Sequence, residues 1–303
     1  MSKEVLFRRI MRVSFPAIGK SYTYKGTGGF WIEFSIPFGT NSASNLGEVV
    51  ISNLTMATIS ELKRGDPIIV EAGYEGTIWQ GPNLQGLISG EIEKVEVTWD
   101  GVDKAVKIEI GDSHDQWLTK RVNKDWEPGT KVRKVVKDLC KASGFGQGTI
   151  EIPGRDNFEY ETGFITAANE TIKSALEKCV ADLLEIKNAT YEVHVESGLI
   201  HFHREGVGTV HSGVLISAEH GLIGHVEPLA IEEPNDPESD APLRQYSCQV
   251  LLDPRLGADK LVDLQDAITT SGDVKTLKIV EGSHVGTPTK DFVTKLTLQE
   301  LEE

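Results

Sequence analysis

The stretch "YEVHVESGLIHFHREGVGTVH" (191–211) holds four of the eight histidines, with three glutamates among them. Imidazole nitrogens and carboxylate oxygens are the donors that zinc takes, and the same groups serve as general acids and bases. Folding 190–204 as an antiparallel hairpin with its two-residue turn at Ser197–Gly198 pairs Tyr191 with Arg204, Glu192 with His203 and Val193 with Phe202. His194 then faces His201, Val195 faces Ile200, and Glu196 faces Leu199. One side of the hairpin is apolar and the other carries the imidazoles and carboxylates, as a half-buried sheet requires. His194, His201, His203 and Glu192 are therefore the candidate metal ligands. A zinc site also needs tetrahedral convergence and an oriented outer shell, which a flat sheet face does not favour. The expectation is a solvated polar face with no native metal, no cofactor and no catalytic residue. His211 lies past two glycines and need not join the group.

Other constellations carry less. Asp112, Ser113, His114 and Asp115 are neighbours in "GDSHDQW", whereas a catalytic triad is gathered from separate segments. They read as a strand end with turn-forming residues. "GTGG" (26–29) lacks the Lys-Ser/Thr of a phosphate loop and precedes a strand, so it reads as a turn. No carboxylate pair stands out among 46 Asp and Glu. "EHGLIGHVEP" (219–228) reads as a tight loop with a buried apolar plug between His220 and His225. The chain is expected not to be an enzyme.

Composition sets the frame. The 303 residues are 39% hydrophobic and 25% charged, which suits a globular chain of two or three domains. The longest apolar runs fall far short of the roughly 20 residues of a bilayer span. "MSKEVLFRRIMRVSF" lacks a long apolar segment with a small-residue cleavage site, so neither a leader nor a membrane anchor is expected. Cys140, Cys179 and Cys248 form no CxxC pair and read as buried reduced thiols. A net charge of −15 disfavours general phosphate binding, and an acidic surface repels DNA instead.

The elements that must position these residues are mostly strands. "SYTYKG", "GFWIEFSIPF", "GEVVISNLT", "DPIIVEAGY", "GLISGEIEKVEVTW" and "KAVKIEIGD" fill residues 4–112. Val106, Ile108 and Ile110 share one face of the last. Gly28–Gly29, Gly73, Gly76 and Asp100–Gly101 are expected turns, and "TMATISELK" a short helical turn. Two amphipathic helices follow. One has Val132, Val135, Val136, Leu139 and Cys140 on its apolar stripe, Thr130 as cap and Gly144 as stop. The other has Ile172, Ala175, Leu176, Cys179, Val180, Leu183 and Leu184, with Asn169 as N-cap. After about residue 207 the chain returns to strands: "GVLISA", "RQYSCQVLL", "DKLVDLQD", "VKTLKIVEG" and "DFVTKLTLQEL". The acidic, proline-rich segment 232–242 between the first two reads as an exposed, solvated loop.

A faint repeat links the two ends. "LKRGDPIIV", "GEIEKVE" and "AVKIEI" resemble "PRLGADKLVDL", "LKIVEGSH" and "FVTKLTL". The simplest architecture is two copies of one β-fold at 1–115 and 207–303, split by an α+β insert at 116–206.

Three segments, in this order, resemble phage tail baseplate hub proteins. The first runs from "NLGEVVISNLTMATISELKRGDPIIVEAGYEG" to "GLISGEIEKVEVTWDGVDKAVKIEIGD". It carries Asn45, Val49, Ile51, Asn53, Leu54, Gly65, Ala72, Gly73, Tyr74, Gly90, Ile92 and Asp112 at the positions typical of that family's N-terminal domain. "ETIKSALEKCVADLLEIKNATYEVHVESGLIHFHRE" is similar to its helix-and-hairpin domain. "HGLIGHVEP" and "YSCQVLLDPRLGADKLVDLQ" are similar to its third domain. The resemblance covers nearly the whole chain. It implies a mainly β chain with two tail-tube-like antiparallel β-barrels flanking the insert, and a homotrimer whose six barrels match a sixfold tube and a threefold spike. It implies a virion structural component made in the host bacterial cytoplasm, a tail-tip hub that joins tail tube to central spike and lines the DNA channel. Its partners would be a tail tube or distal tail protein, the spike and a tape-measure protein, with DNA passing unbound. The chain stops at Glu303, where some relatives continue into lysozyme, peptidase or spike domains, so lytic activity is not expected. The alternatives are a cell-surface or glycan-binding tail-tip module using Trp79 or Trp99, the hub of a non-phage contractile injection particle, and a metal hydrolase built on His194, His201 and His203.

Overall fold

The computed structural model describes residues 8–26, 28–39, 46–76, 83–111, 119–196, 198–204, 210–229, 244–267 and 270–301. The first region has β1 (Arg9–Phe15), β2 (Lys20–Lys25), β3 (Gly28–Gly29), β4 (Ile32–Gly39), β5 (Leu46–Ser52), α1 (Met56–Glu61), β6 (Pro67–Tyr74), β7 (Gln85–Asp100) and β8 (Asp103–Gly111). The insert starts with the short strands β9 (Arg121–Val122), β10 (Asp125–Trp126) and β11 (Thr130–Lys131), then α2 (Val132–Ser143). Next come β12 (Gly146–Ile150), β13 (Glu159–Tyr160), β14 (Phe164–Ile165), β15 (Glu170–Thr171), α3 (Ile172–Lys187), β16 (Tyr191–Glu196) and β17 (Leu199–Arg204). The last region has β18 (Val210–Ile216), β19 (Leu222–Pro228), β20 (Gln245–Leu251), β21 (Lys260–Gln265), β22 (Val274–Gly286) and β23 (Phe292–Gln299).

The chain is mainly β, with its helices few and confined almost wholly to the insert. Both β regions share one sheet of 14 strands, ordered β19-β20-β23-β22-β4-β5-β8-β7-β6-β1-β2-β3, with β21 also on β22 and β18 on β21. Among the described residues this sheet does not close into a barrel, unlike the two closed barrels that the resemblance implies. The physical reason lies in β4. A strand has two edges, and β4 uses one on β5 and the other on β22, from Glu281↔Gly39 to Gly286↔Phe34. Glycines make that seam possible. A Cβ on Gly286 would stand 2.2 Å from the Phe34 ring, and one on Gly282 would stand 2.6 Å from the Phe38 ring. Side chains cross the seam as well. Phe292 and Leu252 pack into the first core, and Phe38 packs into the last.

The repeat is visible as two antiparallel meanders, β6-β7-β8 and β21-β22-β23. Val106, Ile108 and Ile110 are fully buried, as their alternation predicts. Gly73 is not a turn. It lies within β6, where a Cβ would meet the Asn83 carbonyl oxygen at 2.4 Å. Residues 219–228 are not a buried plug either, since Leu222–Pro228 form β19 and Ile223 is exposed.

The insert has its own core, in which α2 and α3 cover the apolar side of the β16–β17 hairpin. All five residues of the α2 stripe are buried, and Gly144 ends the helix in the left-handed region at φ 86°. Thr130 is not its cap, because Thr130–Lys131 pair with β13. The Asn157 side chain instead accepts from the Arg133 N–H at 3.3 Å. In α3 the cap is Thr171, whose hydroxyl accepts from Ser174 N–H at 3.1 Å. Asn169 sits two residues earlier in the turn at φ 64°. Leu184 is exposed, so the α3 stripe is narrower than its apolar residues suggest.

Candidate functional site

The β16–β17 hairpin has the register read from the sequence, from Tyr191↔Arg204 through His194↔His201 to Glu196↔Leu199. Its apolar side meets the helices as expected. Its polar side is not solvated: His194 and His203 are each only 1% exposed. The reason is tertiary. The start of β21 and the middle of β22 cover the hairpin and bring Asp259 (1% exposed) and Lys278 (2% exposed) onto the imidazoles.

The contacts form one buried network. His203 Nε2 lies 2.9 Å from Asp259 Oδ2, and the Lys278 ammonium lies 3.1 Å from Asp259 Oδ1. Lys278 also donates to the Glu192 carboxylate, which stands 3.5 Å from His203 Nδ1. His203 Nδ1 is 3.0 Å from the Arg204 carbonyl oxygen and Nε2 faces the Asp259 carboxylate, so each ring nitrogen has an acceptor for a proton. The His194 ring stacks on His201 at 5.0 Å and meets His203 edge-on at 5.7 Å. Neither ring nitrogen of His194 has a hydrogen-bond partner.

Burial fixes the charge states. It pushes the His194 pKa down to about 3, helped by neighbouring His201, so this ring is neutral and keeps a free lone pair. Burial also lowers His201. For His203 burial works against the charged form, but Asp259 and Glu192 outweigh it and the pKa is raised. Glu192 is raised because desolvation exceeds the pull of Lys278.

Of the four candidate ligands, the structure therefore gathers His194 and His203 and adds Asp259. One donor atom from each lies within 4.8 Å of the others. His201 turns aside, stacked on His194 with Nδ1 accepting from Thr149 N–H at 3.3 Å. Glu192 is held by Lys278. Asp259 and Lys278 escaped the sequence reading because they lie more than 50 residues beyond the hairpin. A signal existed for Lys278: it interrupts the apolar run "TLKIV", and a charge in such a run must be buried with a partner.

No protein-family profile matches the sequence, and no curated protein matches it. Solved structures do match. The 43 kDa tail protein of prophage MuSo2 from Shewanella oneidensis superposes with TM-score 0.63 at 12% identity, over 99% of this chain and 97% of that one. A tail protein from Neisseria meningitidis MC58 gives TM-score 0.62 at 11% identity, over 97% of each chain. The chain has the fold of phage tail proteins. The Francisella PdpA–VgrG complex matches with TM-score 0.54 at 10% identity, over 98% of this chain and 59% of that one.

Within this tail-protein fold the remaining candidates stand apart from the buried network. His211 pairs with Asp263 at 3.1 Å, His220 Nδ1 lies 2.8 Å from the Ser217 hydroxyl, and His225 lies 3.3 Å from Glu227. Trp99 is 63% exposed, with the Lys104 ammonium 5.3 Å from its ring. The three cysteines are buried, and desolvation pushes each thiol up to about 12. Asp112, Ser113, His114, Asp115, Trp79 and the acidic segment 232–242 lie outside the described residues. Among the described residues no helix is long and apolar enough to cross a membrane.

Proposed function

We propose that the chain is a structural component of a phage-type tail, a hub of the tail tip that joins tube to spike and lines the DNA channel as a trimer. The observation that carries this reading is the end-to-end likeness to the prophage MuSo2 tail protein, which covers nearly all of both chains. The order of motifs along the sequence points the same way.

The sheet supplies a means of assembly. Among the described residues β3 pairs only with β2 at one end, and β19 pairs only with β20 at the other. Unpaired strand edges invite further strands. Phe30 and Trp31 are exposed beside the first end, and Ile223, Leu229 and Leu251 beside the second. The two ends are unlike, so copies joined end to end make a heterologous contact, which closes into a ring when the rotation permits. Three copies would place six β regions around the lumen. A net charge of −15 would keep DNA from adhering to that wall. The role is mechanical rather than catalytic, and it places the chain in the virion.

Light scattering across a concentration series tests the assembly. The expected mass is three times the 33.2 kDa chain. A two-fold dimer joined through one face would contradict the ring.

A further inference from the structure

We propose that His194, His203 and Asp259 bind one zinc-class divalent ion at the junction between the insert hairpin and the last β region. Two imidazoles and a carboxylate are a donor set that zinc accepts. Ligand atoms around tetrahedral zinc stand roughly 3.3 Å apart, given bonds of about 2.0–2.2 Å. His203 Nε2 and Asp259 Oδ2, at 2.9 Å, are already near that spacing, and the His194 donor lies within 4.8 Å of both. A small closing movement of the His194 ring completes the triangle.

Two further features point to an ion rather than to packing alone. The fully buried His194 ring has no hydrogen-bond partner for either nitrogen, an arrangement that costs free energy unless something accepts its lone pair. His203 has the outer contact that orients a ligating imidazole, with Nδ1–H donated to the Arg204 carbonyl oxygen at 3.0 Å. Lys278 is the competing cation. Its ammonium is shared between Glu192 and Asp259 Oδ1, while Asp259 Oδ2 meets His203 Nε2, so the metal would take the place of the proton between those two atoms. The three side chains leave a fourth position, which a water enclosed with the ion would fill, and their burial makes the ion structural, tying hairpin to sheet. This proposal does not rest on the tail reading, and the mass measurement above leaves it untouched.

The test uses the full chain purified without a histidine tag, stripped with a chelator and dialysed. It is titrated with zinc chloride alone and with cobalt chloride alone. The expected result is one ion per chain, a rise in Tm, and the visible absorption of tetrahedral cobalt. His194→Ala and Asp259→Asn are expected to weaken binding by at least about tenfold, and His201→Ala to leave the stoichiometry unchanged. Lys278→Met is expected to tighten binding, because it removes a positive charge beside the ion. Should the ligand variants fail to fold, X-ray absorption on the zinc-loaded unmodified protein reads the donor set directly, with two imidazoles expected. Folded protein that takes up no zinc would overturn the proposal, leaving a proton on His203 to balance the carboxylates. Zinc binding that survives His194→Ala would also overturn it, as would an absorption spectrum without imidazole scattering.

Discussion

The two β regions carry the same three-stranded meander in different surroundings. In the first region the residue leading into β6 is Asp66, partly exposed, whose carboxylate accepts the Lys63 N–H at 3.0 Å. In the last region the residue leading into β21 is Asp259, fully buried under the insert and held against His203 and Lys278. Glu91 stands partly exposed where the repeat places Lys278. One strand unit thus presents its polar end to water in one copy and to a second domain in the other. The difference shows what the insert does: it docks on one β region by a charged face, not an apolar one. Such a junction is specific, because each charge needs its partner, yet it adds little net stability.

Breaking the buried end should have the largest effect. Asp259→Ala takes one of two carboxylates from the buried Lys278 and His203, leaving Glu192 alone between two cationic groups, and a cost of about 3–5 kcal/mol is expected in urea unfolding. Asp66→Ala removes one exposed hydrogen bond and should cost about 1 kcal/mol or less. Similar losses at the two sites would erase the distinction.

Acid should act next, at the seam between the regions. His284 is 2% exposed, packs on Phe38 at 4.8 Å and is hydrogen-bonded to the Thr294 hydroxyl at 2.9 Å. Burial pushes its pKa down to about 4, below the roughly 6.5 of an unfolded chain. The unfolded state takes up the proton first. Stability is therefore full above about pH 6.5 and falls, by up to about 3 kcal/mol, as pH drops toward 4. The slope of stability against pH in that window should flatten in His284→Gln.

Glycines sharpen the contrast. Gly286→Ala drives a methyl into the Phe34 ring and is expected to cost about 1–3 kcal/mol. Gly86→Ala, in β7 where nothing stands within 4 Å, should instead stabilise by up to about 0.5–1 kcal/mol. Thermal unfolding of the two variants reads the opposite signs. The smallest effect belongs to Arg12→Gln. The partly exposed Arg12–Glu71 bridge between β1 and β6 should contribute no more than about 1 kcal/mol, and less in high salt.

Much of the local structure was legible in the sequence. The hairpin register followed from turn and alternation alone, and the α2 stripe from its period. The joined sheet was not legible. Nothing in "IEFSIPFG" shows that the second edge of β4 will take Glu281–Gly286, since backbone pairing leaves no side-chain signature. β1 was missed although Met11, Val13 and Phe15 alternate, and β12 because "GQGTI" has little apolar content. The caps were misplaced by one or two residues because short strand pairs took up Thr130 and displaced Asn169. The histidine face was read as solvated for the same kind of reason. A polar sheet face looks identical in sequence whether water or a matching set of charges will cover it, and the covering residues lie far along the chain.

Electron cryomicroscopy of the purified chain, alone and with tail-tube and spike proteins, tests the central claim most directly. The account predicts a closed ring of three copies, with the β3 end of one against the β19 end of the next and the six β regions facing the lumen. Copies that remain single in every mixture, or that pair through the same edge about a two-fold axis, would contradict it.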